Sequence, residues 1–113
     1  MHEMSLCEGV LQVIKDQARS QHFVRVRRVR LEIGVLACVE PEAMRFSFDA
    51  VTHGTLAHGA NLEIITVPGE AWCMRCARTR AVNRRYDECQ ECGSVLLQLT
   101  RGEELRIKDL EVE

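Results

Sequence analysis

Four cysteines set in two Cys-x-x-Cys pairs, Cys73 with Cys76 and Cys89 with Cys92, constrain this chain more than any other feature. Each short loop offers two thiolates from one side, and the twelve residues between the pairs can fold back as a hairpin, which is the arrangement a tetrahedral metal site needs. Gly93, directly after Cys92, suits the positive φ that often follows such a knuckle, whereas the first knuckle, Cys73-Met74-Arg75-Cys76, has no glycine there. Four sulfurs fill the coordination shell of zinc and leave no position for water or substrate, so the pattern predicts a structural Zn(II) rather than a catalytic one. One zinc and four thiolates carry a formal charge of about -2. Arg75, Arg78, Arg80, Arg84 and Arg85 surround the ligands in sequence, and they either offset that charge or form a docking surface for nucleic acid or an acidic partner.

Setting the zinc module aside leaves a small apolar core from a chain of 113 residues. A formal net charge of -2 gives no long-range pull toward nucleic acid. No apolar run approaches the roughly 20 residues of a membrane span. The start Met1-His2-Glu3-Met4-Ser5 has neither the basic nor the apolar region of a secretory signal, so a cytoplasmic protein is expected. In that reducing compartment the cysteines are metal ligands or free thiols. Cys7 and Cys38 stand alone in apolar stretches and are expected to be small buried hydrophobes. No nucleophile is paired with a base at convincing spacing, which argues against an enzyme.

Ser5 and Glu8 have capping-box spacing, and Leu6, Val10, Val13, Ile14 and Ala18 recur at helical intervals up to Arg19-Ser20-Gln21. From Phe23 to Ile33 the period falls to two, with Val24 and Val26 in one phase and Val29, Leu31 and Ile33 in the other, a strand with a slip near Arg27-Arg28. Gly34 ends or bends it. Pro41 opens a second helix through Met44, Phe48 and Val51 to Gly54. A second strand follows at Leu62, Ile64, Ile65 and Val67, stopped by Pro68-Gly69, and a third at Leu105, Ile107, Leu110 and Val112. The fold class expected is α+β: a small three-stranded sheet with two helices on one face, plus an inserted zinc-ribbon module. The domains are then 1–69 with 98–113, and 70–97 for the ribbon.

The first residues carry a second metal possibility. The α-amine of Met1, the deprotonated amide nitrogen of His2 and the His2 imidazole can close fused chelate rings around one ion. Such nitrogen-rich, nearly planar sets favour nickel(II) or copper(II) over zinc or magnesium. Glu3 could add an amide nitrogen or a carboxylate oxygen. Initiator methionine is usually removed only before a small residue, which His2 is not, so Met1 is expected to persist. On residues alone, a frayed, solvated terminus remains the alternative.

Met1-His2-Glu3-Met4-Ser5-Leu6, Leu31-Glu32-Ile33-Gly34, Arg45-Phe46-Ser47-Phe48 and the two cysteine pairs, in this order and spacing, resemble the HypA/HybF family of hydrogenase nickel-incorporation proteins, nearest to its HybF branch. The likeness covers essentially the whole chain, including the acidic end Ile107-Lys108-Asp109-Leu110-Glu111-Val112-Glu113. The resemblance implies a metallochaperone that takes Ni(II) as cargo at its N-terminus. It also implies delivery, with a hydrogenase-maturation GTPase, to the large subunit of a nickel-iron hydrogenase or its precursor complex. By the same resemblance His2 is the indispensable nickel ligand, with Met1 and Glu3 as its neighbours, and the four cysteines hold structural zinc. Glu40, just before Pro41, is an accessory nickel candidate or the cap of the second helix. Gln90 stands where many relatives have proline. His22, His53 and His58 fall outside the motifs and are expected to be solvated.

The rival is a binding module in which the ribbon's arginines, with Arg25, Arg27, Arg28 and Arg30 of the first strand, contact nucleic acid or an acidic protein. Aromatic content of 4% leaves few platforms for stacking bases. Alternation along that strand puts most of its arginines on a solvated face.

Overall fold

The computed structural model describes residues 2–113. In chain order its elements are α1 (His2–Gln21), β1 (Val26–Gly34), α2 (Pro41–Thr52), β2 (Asn61–Val67), β3 (Gly69–Cys73), β4 (Arg78–Val82), β5 (Leu97–Arg101) and β6 (Leu105–Val112). Two three-stranded sheets result, ordered β2-β1-β6 and β4-β3-β5. The described residues form two compact units, one of 2–31, 39–65 and 106–113, the other of 32–38 and 66–105. The ribbon interval 70–97 lies inside the second unit, which also takes in 32–38, 66–69 and 98–105.

In the first unit, α1 buries Cys7, Val10, Leu11 and Ile14, and α2 buries Met44, Ser47, Phe48 and Thr52, each set spaced to share one helix face. These faces close on the apolar side of the sheet, where Val26, Val29 and Leu31 are buried. Full burial of Phe48 or Ile14 contributes about 1.5–3 kcal/mol each. The spacing of three from Val26 to Val29 is the phase slip expected in this strand. Val24, 80% exposed, precedes the strand rather than joining its inward face. The Cys7 thiol lies against α2, donating to the Met44 carbonyl oxygen at 3.5 Å, and burial pushes its pKa up to about 11. Cys7 is thus the buried hydrophobe expected.

Cys38 is not. Its residue is exposed and holds a left-handed φ of 58°, because the chain turns there between β1 and α2 and the side chain is left facing out. The expected start of α1 also moves. The helix already includes His2, so Ser5 sits inside its first stretch and is not the cap. The Glu3 carboxylate takes up the role of an acidic group near the positive helix end. His22, with φ 61°, ends α1 in the left-handed conformation, its amide donating to the Ala18 carbonyl at 2.9 Å.

β6 runs antiparallel to β1: the Gly34 amide donates to Glu104 at one end, and the Glu113 amide donates to Arg25 at the other. The sheet face away from the helices carries a ladder of ion pairs. Arg27 meets Glu113 at 2.5 Å, Arg28 meets Glu63 at 3.3 Å and Glu111 at 3.5 Å, and Arg30 pairs with Asp109 through two hydrogen bonds. Arg25 lies 3.9 Å from Glu113. The acidic end therefore neutralises the strand arginines within the molecule.

In the second unit, β3 pairs antiparallel with β4, Gly69 opposite Val82 and Cys73 opposite Arg78. It also pairs with β5, Cys73 opposite Leu97, with an irregularity between Glu70 and Ala71. Leu36, Ala71 and Val82 form its small core, against which Leu97 and Leu99 pack. Gly34 belongs to this unit for a steric reason, since a Cβ there would lie 1.9 Å from the Gly102 carbonyl oxygen and 2.6 Å from the Glu103 nitrogen. Backbone cannot yield to a methyl group as a flexible side chain can. Gly34→Ala is expected to destabilise the protein by about 2–3 kcal/mol, read as a lower denaturant midpoint; an unchanged midpoint would show that the backbones are free to separate.

Candidate metal sites

The two knuckles are built alike. Ala77 donates its amide to the Cys73 carbonyl oxygen at 2.8 Å, and Gly93 donates to the Cys89 carbonyl oxygen at 2.8 Å. Both residues hold positive φ, 54° for Ala77 and 71° for Gly93. The first knuckle thus makes the same turn without glycine, at the cost of an alanine in a conformation unfavourable to L-residues by about 1–2 kcal/mol. β3 delivers Cys73 into the site at its last position, and β4 starts two residues after Cys76, so the first hairpin fixes one ligand pair. Cys73 and Cys89 are buried, while Cys76 and Cys92 are partly exposed.

The sulfurs converge. Cys73 Sγ lies 3.7 Å from Cys92 Sγ, Cys76 Sγ lies 3.8 Å from Cys89 Sγ, and all four ligand atoms are within 4.8 Å of one another. A tetrahedron with metal–sulfur bonds of about 2.3 Å has edges of about 3.8 Å. The donor set therefore fits one tetrahedral thiolate-bound ion, and these four residues would hold it with no protein-free position left. The local field divides the ligands: backbone amides of Cys92 and Glu91 lower the Cys89 thiol to about 6, whereas Cys92, despite the Ser94 amide that lowers it, is pushed up to about 11 by burial and the neighbouring sulfurs.

Of the arginines expected to offset the thiolate charge, Arg80 does so. The Cys76 sulfur, and more weakly Glu91 and the Cys89 sulfur, hold its guanidinium above the usual arginine range, its Nη2 meets Glu91 Oε2 at 2.5 Å, and its buried Nε has no hydrogen-bond partner among the described residues. Arg85 pairs with Glu103, and Arg75, Arg78 and Arg84 are exposed. Charge spacing in the sequence nominated five residues equally, and only the register of β4 on β3 selects among them. Arg80→Met is expected to weaken metal retention about tenfold or more in competition with a chromophoric chelator. Retention equal to the unsubstituted protein would reduce Arg80 to a surface partner of Glu91.

Near the other end of the molecule's sequence, His2 and Glu3 occupy the first turn of α1, His2 exposed and Glu3 partly so. His2 Nδ1 is 4.0 Å from Glu3 Oε2. That same oxygen accepts a hydrogen bond from the Glu40 amide at 3.3 Å, while Glu40 Oε1 accepts from the Glu42 amide at 2.9 Å and caps α2. The structure thus brings His2, Glu3 and Glu40 together, with Glu40 acting as the N-cap. Glu3's own backbone amide, and then that of Glu40, hold its carboxyl below the ordinary glutamate range, so it is ionised near neutrality. Met1, the remaining member of the expected nickel set, lies outside the described residues. The first amides of a helix have no intrahelical acceptor, which leaves the His2 nitrogen uncommitted to the helix ladder.

Fold and site together define a small α+β protein with a four-cysteine cluster that could hold a metal ion. The family model for hydrogenase/urease nickel incorporation, the HypA metallochaperones, matches residues 1–112. The chain belongs to the HypA family. It is 59% identical to the hydrogenase maturation factor HypA of Acidithiobacillus ferrooxidans over 113 residues, the whole of both chains. It is likewise 58% identical to that of Rhodopseudomonas palustris and 57% to that of Azotobacter vinelandii, each over the full length of both chains. The solution structure of the Ni metallochaperone HypA from Helicobacter pylori superimposes with a TM-score of 0.73 at 23% identity, covering 97% of this chain and 96% of that one. A second solution structure of a HypA protein gives 0.75 at 23% identity, covering 100% and 97%. These two show a shared fold. Among the described residues no helix is long and apolar enough to cross a membrane.

Proposed function

We propose that this protein carries Ni(II) at its N-terminus for hydrogenase maturation while a zinc ion at Cys73, Cys76, Cys89 and Cys92 shapes the second unit. The nickel donors are the His2 imidazole, the His2 amide nitrogen and the Met1 α-amine, with Glu3 completing or expanding the set. The observation that carries this reading is the placement of His2: exposed in the first turn of α1, beside an ionised Glu3 that the Glu40 amide holds in place. Glu40 contributes by fixing Glu3 and capping α2 rather than as a ligand.

The division of labour follows from ligand chemistry. Four soft thiolates suit zinc and exchange it slowly, whereas a short set of exposed nitrogen donors selects nickel(II) and can surrender it to a competing ligand. The cargo passes, with a hydrogenase-maturation GTPase, to the large subunit of a nickel-iron hydrogenase or its precursor complex in the cytoplasm. The family description names urease beside hydrogenase, and the relatives' own names give hydrogenase, so hydrogenase is the client assigned. The nucleic-acid alternative is weakened by the ion pairs on and just before β1, where Arg25, Arg27, Arg28 and Arg30 already face Glu113, Glu63, Glu111 and Asp109.

In cells lacking their own maturation factor and grown with limiting nickel, the unsubstituted protein is expected to restore hydrogenase activity and His2→Ala to restore little. Full restoration by His2→Ala would remove the N-terminal reading.

A further inference from the structure

The turn that follows α2 holds two histidines that the reading above does not use. His53 and His58 are both exposed, and their ring centroids stand 4.9 Å apart with planes at 76°. Each is followed by a glycine with φ 76°, Gly54 and Gly59. Their backbone is firmly set. Thr55 donates its amide to the Thr52 carbonyl at 2.9 Å and its hydroxyl to the same oxygen at 2.7 Å. The Ala57 amide donates to Thr55 Oγ1 at 3.2 Å, the His58 amide donates to the Thr55 carbonyl at 3.1 Å, and the fully buried Ala57 pins the turn to the core.

We propose that His53 and His58 form a second, two-imidazole site for a late first-row divalent ion of the nickel, copper and zinc class. The spacing is what such a pair requires. A metal–nitrogen bond of about 2.0–2.1 Å puts each ring centroid about 3.2 Å from the ion, and two such spokes at 90–109° set the centroids about 4.5–5.2 Å apart. The observed 4.9 Å falls in that interval. Both residues are exposed, and turning the rings about χ2 to aim one nitrogen each at a common point exchanges their present edge-to-face contact for a shared ion. Imidazole suits these ions, and two ligands leave the remaining positions to water or to a donor from another molecule. The result is a weak, fast-exchanging site on the first unit, chemically unlike both the thiolate centre and the terminal chelate. It stands apart from the N-terminal reading and does not need it.

The test uses full-length protein already loaded with zinc and carrying His2→Ala, so that neither other site answers, titrated with Ni(II) alone. Calorimetry is expected to show one weak binding event, with paramagnetic broadening of the ring resonances of His53 and His58 together and not of His22. Adding His58→Ala, an exposed position whose change spares the core, is expected to abolish the event, and His53→Ala to do the same. No nickel uptake by zinc-loaded His2→Ala, broadening centred on His22, or uptake unchanged by His58→Ala would each overturn the proposal. The N-terminal site is read separately, from tight uptake by protein that retains His2.

Discussion

Cys73→Ser is expected to leave the protein without zinc and to melt β3, β4 and β5 while α1 and α2 keep their protection. The reason is an imbalance of terms. Leu36, Ala71 and Val82 are the buried apolar cluster of the second unit, and side chains of this kind contribute no more than about 1.5–3 kcal/mol each on burial. A core of that size is too small to offset the backbone entropy of ordering 32–38 and 66–105. Hydrogen bonding along the strands recovers part of it, and the metal supplies the largest remaining share: structural zinc in small peptide modules contributes about 10–16 kcal/mol. Cys73 is buried at the end of β3, so a serine there presents a poor ligand in a place where water cannot replace the sulfur. Elemental analysis should fall from one zinc per chain toward none, and amide exchange should accelerate first within 66–105. A retained stoichiometry of one would mean that the four-sulfur assignment is wrong.

His2→Ala is expected to remove tight nickel binding altogether while leaving zinc content and helix content unchanged. The substitution takes away the imidazole that closes the second chelate ring, and the remaining amine and amide cannot enforce a planar set on their own. His2 is exposed, so the loss will not come through unfolding. Glu3→Gln should act more mildly, because it keeps the backbone donor and disturbs only the carboxylate beside the His2 ring and the Glu40 amide.

Much of the first unit was legible in the sequence because its segments are long and their periods distinct. Leu6 to Ala18 repeats at helical spacing, Val29 to Ile33 alternates, and Pro41 marks the start of α2 where the structure has it. The ribbon's own strands were not legible. β3, β4 and β5 have five residues each, and sequences such as Arg78-Thr79-Arg80-Ala81-Val82 owe their extended form to pairing across the knuckles rather than to an apolar face. The four cysteines were readable because ligand spacing is a local code. Arg80's place against the sulfurs was not, since it depends on the register that sets Arg80 opposite Ala71. Cys38 misled because apolar neighbours in sequence say nothing about a turn that rotates one side chain outward. Ser5 misled in the opposite way: its spacing to Glu8 mimics a cap, yet Glu3, held by the Glu40 amide from another element, anchors the true first turn.

The central claim is that the cargo nickel binds at the free amino terminus. Native mass spectrometry of untagged, zinc-loaded protein titrated with Ni(II) tests it most directly, run beside His2→Ala and a form extended by a few residues ahead of Met1. The account predicts one tightly held nickel on the unaltered chain and its loss from both altered forms, with zinc at one in all three. One tightly held nickel retained in both altered forms would contradict it.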